Sequence, residues 1–257
     1  MTQCNPAILD ETSAARRIAA VPRPVMIVDT CNFGNIVGLA LSGKTTPIRQ
    51  ALGCLQDGLA RQLFYLVVPH QVYIEFTRPG QFVKAAIQEF GKQIRCLNAA
   101  LDTYNEICAV PNLWGVKKEY RKFDIGDAEQ LLGELVAISR QFLEQAIIVE
   151  ASPQAQQWAR QRAIDRKRPV RQGKDSFGDC EICGTTLSFL GVLRKMQFAE
   201  SAYFVSENKD DFAFDKGLHP DLQADFAKVS LAYYQTIPEA YGDIWKQHNK
   251  RIRGQKP

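Results

Sequence analysis

The sequence predicts an α/β fold with three layers, α/β/α, in which a mainly parallel central sheet is covered by helices and carries an inserted long helical pair. Short apolar runs that are rich in β-branched and aromatic residues are typical of buried parallel strands. Amphipathic helical patterns separate these runs, and strands that alternate with helices favour a parallel sheet. Composition agrees, because 46% of the 257 residues are hydrophobic and 23% are charged, which excludes a disordered chain.

Three apolar runs are predicted to form strands of this sheet. They are Val25–Val28, Phe64–Val68 and Ala202–Val205. Apolar residues spaced three or four apart predict four longer helices between and around the strands. These helices extend over residues 82–108, over residues 126–142, from Pro153 to Asp165, and from Phe177 onward.

A single domain is predicted for residues 22–257, after an N-terminal arm or short helix over residues 1–21. The helical pair is an insertion at about residues 80–145, and about residues 219–257 form a helical extension. No run approaches the roughly 18 to 20 apolar residues of a spanning helix, and the N-terminus does not resemble a signal peptide. The 7 cysteines are an odd number that suits reduced thiols, so a cytoplasmic protein is predicted.

Acidic residues fall where the predicted strands end and where helices begin. Asp29 follows the first strand, and Glu75 lies in the turns after the second. Asp175 and Asp179 flank the start of the fourth helix. Because sites in α/β sheets form beyond the carboxyl ends of the strands, these acids are expected to meet there. A carboxylate cluster needs a compensating cation, and Mg²⁺ or Mn²⁺ would supply it and activate water for phosphodiester hydrolysis.

Five segments, taken in order, resemble PIN-like nucleases, in particular the DUF4935-type branch. The segments are Val28–Thr30, Pro69–Glu75, Gly173–Ile182, Phe204–Phe212 and Leu218–Leu222. The resemblance covers roughly residues 22 to 226. It implies a three-layer α/β/α enzyme that cuts single-stranded or structured RNA with Mg²⁺ or Mn²⁺. Such a protein acts as a toxin, an antiviral effector or an RNA-processing enzyme, and an antitoxin or another protein is among the partners that the family allows.

The resemblance also implies a role for each residue of the site. The catalytic acids, which also hold the metal, would be Asp29, Glu75 and Asp179. Further metal ligands would be Asp175, Asn208 and Asp211. Thr30 and Ser206 would orient these ligands through hydrogen bonds.

Two departures from the family pattern keep an alternative open. Asn208 stands where many PIN-like proteins have aspartate, and Cys31 stands where they usually have asparagine or serine. A non-catalytic PIN-like module that binds RNA or a protein partner is therefore the second hypothesis. A nucleotide-binding protein is the third, because Gly38–Thr45 has the spacing of a phosphate-binding loop that would use Lys44. Against it, the strand that should precede such a loop ends well upstream.

A basic segment stands just before the third acid, in a chain of formal net charge +4. Arginine and lysine contacts to phosphates supply affinity that does not depend on sequence. The residues predicted to bind RNA are Arg162, Arg166, Lys167, Arg168, Arg171 and Lys174. A further pattern, Cys180–Cys183, is a lone CxxC without partners for zinc, and it is predicted to belong to the core.

Overall fold

The computed structural model describes residues 6–34, 45–77, 82–108, 122, 125–171, 173, 176–215 and 217–254. Clustering of contacts divides the chain into two compact units, residues 1–77 with 140–257, and residues 78–139. The first unit contains the sheet and the candidate site. The described residues of the second unit are helical except for Lys122, and this unit corresponds to most of the predicted helical insertion.

The strands are β1 (Ile8–Leu9), β2 (Val25–Val28), β3 (Tyr65–Pro69), β4 (Ile147–Val149), β5 (Ala202–Val205), β6 (Ala213–Phe214), β7 (Gly217–Leu218) and β8 (Leu231–Tyr234). The first five helices are α1 (Glu11–Ala20), α2 (Thr45–Ala60), α3 (His70–Thr77), α4 (Phe82–Cys108) and α5 (Ile125–Gln145). The remaining helices are α6 (Pro153–Asp165), α7 (Phe177–Lys195), α8 (Lys209–Phe212), α9 (Pro220–Lys228) and α10 (Ile237–Ile252). A short helical segment also begins at Thr30.

Six of these strands form one sheet in the order β1-β4-β3-β2-β5-β8. Every neighbouring pair in it is parallel. The central strands β2 and β5 are buried at all four positions, which is why they are continuous apolar runs in the sequence. The remaining two strands, β6 and β7, form a separate antiparallel hairpin just after α8.

Helices cover both faces of the sheet. Helices α1 and α6 pack against α7, and α2 packs against α10. Right-handed crossovers place these two groups on opposite faces, because the chain runs towards one edge of the sheet through α2 and returns through α6 and α7. The predicted three-layer α/β/α architecture, with a parallel sheet and an inserted long helical pair, is confirmed.

The N-terminal residues are more deeply integrated than the prediction of an arm or short helix implies. Strand β1 pairs with β4 and forms one edge of the sheet. Helix α1 buries Ala14, Ala15 and Ile18 completely. Its first turn is capped by Asp10, whose carboxylate accepts hydrogen bonds from the backbone amides of Thr12 and Ser13. Among the described residues, no helix combines the length and the apolar character needed to cross a lipid bilayer.

Candidate active site

The candidate site lies beyond the carboxyl ends of β2, β3 and β5, which are neighbours in the sheet. Asp29 follows β2 directly, and its backbone amide donates to the carbonyl of Val205 at 3.0 Å. The side chain of Asp29 is only 2% exposed. Parallel pairing of β2 with both neighbours therefore fixes the first acid at the middle of this edge.

Thr30 connects Asp29 to Glu75. Its backbone amide donates to Oδ1 of Asp29 at 2.7 Å, and its hydroxyl donates to Oε2 of Glu75 at 2.6 Å. The other oxygen of Glu75 accepts from Nε2 of Gln71, one turn earlier on α3, at 2.8 Å. Thr30 therefore links the first and second predicted acids, because its backbone amide bonds Asp29 and its hydroxyl bonds Glu75.

Ser206 connects Asp29 to the segment after β5. Its hydroxyl donates to Oδ2 of Asp29 at 2.6 Å and accepts from the backbone amide of Asn208 at 3.2 Å. The backbone amide of Ser206 donates to the carbonyl of Tyr234 at 3.1 Å, which continues the β5–β8 ladder. Ser206 is fully buried, so this hydroxyl is a fixed part of the sheet edge.

Asn208 joins the remaining two acids through its amide nitrogen. Nδ2 donates to Oδ2 of Asp211 at 2.6 Å and to Oδ1 of Asp179 at 3.4 Å. In this arrangement Asn208 is a hydrogen-bond donor to carboxylates, whereas the sequence predicts a metal ligand. Asp179 lies in the first turn of α7, where the helix dipole favours a negative charge. Glu75, Asp29, Asp179 and Asp211 thus belong to one continuous network of hydrogen bonds.

Cys31 contributes a thiol to this network. Its Sγ donates to Oδ2 of Asp29 at 3.2 Å and accepts from the backbone amide of Glu207 at 3.2 Å. Burial raises the pKa of the Cys31 thiol, and the charge of Asp29 raises that pKa further, so the group stays protonated. A serine or an asparagine at this position would also supply a donor, so the thiol makes a hydrogen bond of the same kind.

Electrostatics at Asp29 oppose its ionisation. Burial raises the pKa of the Asp29 carboxyl above its ordinary value of 3.8. Hydrogen bonds from Ser206 and Cys31 lower that pKa, and the backbone amide of Thr30 does the same. The nearby charge of Glu75 raises it again. A buried carboxylate with several fixed donors and an acidic neighbour is the environment in which a cation would be stabilising.

Gly178 allows Glu75 to approach the start of α7. A Cβ atom at this position would lie 2.5 Å from Oε1 of Glu75 and 3.3 Å from Nε2 of Gln71. Neither Gly178 nor Gln71 is among the site residues predicted from the sequence. A glycine in the first turn of a helix, directly before an acid, was the available signal for the first. For Gln71 the signal was its spacing, because it precedes Glu75 by four positions and residues four apart on a helix are neighbours.

The number of carboxylates that lie together limits the kind of metal site that they could form. Within the described residues, no group of three or more His, Cys, Asp or Glu side chains is placed to hold a metal ion. Oxygen donors are nevertheless the ligands that Mg²⁺ prefers, and Mg²⁺ is usually held by one or two carboxylates with water and substrate phosphates. Asp29 and Glu75, which Thr30 links, are two carboxylates of this kind. Asp175, a further predicted ligand, lies outside the described residues.

Arg162 has a structural role, which the prediction of RNA binding did not anticipate. Its guanidinium forms an ion pair with Asp225 and donates to the carbonyl of Asp221 at 3.0 and 3.1 Å. It also lies 4.7 Å from the ring centroid of Trp158. The residue is 9% exposed, so its charge attaches α6 to α9 and faces away from solvent.

We expect Arg162→Ala to lower the free energy of unfolding by about 3 kcal/mol, because it leaves Asp225 without its principal buried partner. Arg171→Ala, which removes a cation from an exposed ion pair, should lower it by less than about 1 kcal/mol. Urea denaturation of both variants measures the two values. Equal losses would contradict a structural role that is specific to Arg162.

Two further cations of the basic segment, Arg171 and Arg168, lie beside acids of α8. Nη1 of Arg171 donates to Oδ2 of Asp210 at 2.5 Å, and its backbone amide donates to the hydroxyl of Ser176 at 3.2 Å. Arg168 reaches the same turn of α8. Arg166 and Lys167 are exposed, and Lys174 lies outside the described residues. A surface with cations therefore adjoins the carboxylate network.

The patterns that suggested other functions fall partly outside the described residues. Residues 35–44, which contain most of the loop-like sequence with Lys44, are not described, so the nucleotide-binding hypothesis is not addressed. Cys180 and Cys183 are fully buried on α7, as the sequence predicts for core residues. Burial raises the pKa of Cys180 to about 12, and it also raises the pKa of Cys183.

No protein-family model, no curated protein and no solved structure matches this chain. The resemblance to PIN-like nucleases therefore remains a prediction from the sequence motifs. Support for a function comes from the fold and from the hydrogen-bond network at the edge of the sheet.

Proposed function

We propose that this chain is a metal-dependent endoribonuclease of PIN-like type, which hydrolyses RNA phosphodiester bonds with Mg²⁺ or Mn²⁺. One observation carries the proposal. Residues far apart along the chain, such as Asp29 and Ser206 at a separation of 177 positions, meet in one network of carboxylates and orienting hydroxyls beyond the carboxyl ends of neighbouring strands. Cations of the basic segment lie against the same network, which gives a phosphate backbone a place beside the acids.

Each residue has a distinct task in this proposal. Asp29 and Glu75 would hold the metal, which when bound supplies an activated water and neutralises charge on the phosphoryl group. Glu75 is half-buried, and in this proposal it would also act as the general base for the attacking water. Thr30 and Ser206 keep the two carboxylates oriented through their hydroxyl hydrogen bonds. Asp179 and Asp211 add negative charge at the far end of the network.

Incubation of the protein with end-labelled RNA in Mn²⁺ or in EDTA tests this function. We expect internal cleavage with Mn²⁺, none in EDTA, and a loss of at least about 10²-fold in rate for Glu75→Gln and for Asp179→Asn. Glu134→Gln, which changes an exposed acid on α5, is the matched control and should cleave like the wild type. Salt-sensitive RNA binding by a wild type that never cleaves would favour the non-catalytic module instead.

A further inference from the structure

Arg168 differs from the other described cations of the basic segment in where its side chain ends. Its Nη1 donates to the carbonyl of Asp210 at 2.5 Å and lies 3.9 Å from Oδ1 of Asp211. The side chain of Asp211 is completely buried, and Asn208 connects it to Asp179. The guanidinium of Arg168 therefore lies directly at the carboxylate network.

The backbone of Arg168 is held in place by a contact with α9. Its amide donates to Oδ2 of Asp221 at 3.2 Å, and the carbonyl of Asp221 accepts from the buried Arg162. The side chain of Arg168 is 30% exposed, so one part of it faces solvent. In the described part of the chain, its guanidinium contacts acceptors through Nη1, which leaves Nη2 and Nε for an incoming ligand.

A guanidinium with two donors on one side has the geometry that recognises a phosphate through paired hydrogen bonds. We propose that Arg168 contacts the scissile phosphate of the RNA and stabilises the charge that develops on its oxygens during cleavage. This inference rests on the proposed endoribonuclease function. Interactions that strengthen in the transition state raise the rate of the chemical step more than they raise affinity.

Arg171 provides the contrast within the same segment. Its side chain is 49% exposed, and it pairs with the carboxylate of Asp210, which is 68% exposed. An exposed cation of this kind contributes to affinity for the flanking phosphates and to its dependence on salt. Substitution of Arg168 should therefore affect mainly the rate of cleavage, and substitution of Arg171 should affect mainly the strength of RNA binding.

Single-turnover cleavage with saturating protein in Mn²⁺, and RNA binding in EDTA, measure the two effects separately. We expect Arg168→Lys to lower the saturated rate by about 10²-fold. Its Kd should rise by no more than about tenfold. Arg171→Gln should change Kd more than the saturated rate. Arg140→Gln, which removes an exposed cation of α5, is the control and should match the wild type in both measurements.

Chemical rescue distinguishes contact with the phosphate from a role in folding. Methylguanidinium should restore part of the cleavage rate of Arg168→Ala, and the unfolding temperature of this variant should stay near that of the wild type. A lower unfolding temperature without rescue, or an unchanged saturated rate in Arg168→Lys, would overturn the inference while the nuclease function stands. A wild type that does not cleave RNA in Mn²⁺ would overturn both.

Discussion

Gly178→Ala is expected to reduce RNA cleavage by about 10²-fold or more while the protein stays folded. The new methyl group would lie 2.5 Å from Oε1 of Glu75, a contact that real side chains do not make. Glu75 must therefore swing away, because its flexible side chain gives way more easily than the backbone of α7. Its hydrogen bond to Thr30 and its place beside Asp29 are then lost.

The free energy of unfolding should change little in Gly178→Ala. Alanine is favoured over glycine in helices by about 0.5–1 kcal/mol, which offsets the lost contacts of Glu75. Gly191→Ala is the matched control, since Gly191 lies on the same helix and a Cβ there meets no atom within 4 Å. It should cleave like the wild type. Cleavage rates and thermal denaturation of both variants provide the measurements.

Shortening the acid offers a second test of the same contact. In Gly178→Ala with Glu75→Asp, the carboxylate is one methylene shorter and has room beside the new methyl group. We expect this double variant to cleave faster than Gly178→Ala alone, as coupled positions in direct contact are not additive. Undiminished cleavage in Gly178→Ala would show that the position of Glu75 against α7 has no part in the reaction.

Asp29→Asn is expected to lower the rate of RNA cleavage by about 10³-fold or more. At neutral pH it is also expected to raise the free energy of unfolding of the metal-free protein. The stabilisation follows from linkage. Burial raises the pKa of Asp29 in the folded protein above its ordinary value of 3.8, so the folded state holds this proton more tightly than the unfolded chain. The carboxyl therefore destabilises the folded protein increasingly as the pH rises through the unfolded pKa and then the folded pKa.

The sign of this effect is measurable from acid to neutral pH. In EDTA, Tm of Asp29→Asn should approach that of the wild type near the ordinary pKa of the carboxyl and exceed it as the pH rises. A gain of about 1 kcal/mol corresponds to roughly 2–4 °C for a chain of this size. Glu134→Gln should show no such trend, because that acid is exposed. A difference in Tm that shrinks as the pH rises would contradict a raised pKa at Asp29.

Three interior strands could be predicted from the sequence, whereas the edge strands and the three-residue interior strand β4 were not. Strands β2, β3 and β5 are buried on both faces, so each is a continuous apolar run. Strand β1 has only two residues, and β8 is buried only at Leu231, so neither produces such a pattern. These two strands are recognised only by their pairing with β4 and β5.

The acids of the site were predictable and their partners were not. Asp29, Glu75 and Asp179 follow from strand ends and helix starts, which the hydrophobic pattern locates. The sequence does not show which face of a helix a residue occupies in the folded protein, so Arg162 was grouped with solvent-exposed cations although it faces α9. For the same reason, the contact between Gly178 and Glu75 depends on how α3 and α7 pack, and no local pattern encodes it.

The position of β2 between β3 and β5 has a consequence during synthesis. Asp29 emerges from the ribosome early, but Ser206, which orients it, follows 177 residues later. Pairing across such a separation can form only once most of the chain has been translated. A nascent polypeptide surrounded by ribosomal and messenger RNA therefore lacks an assembled site, and the proposed cleavage activity would begin only when β5 inserts beside β2.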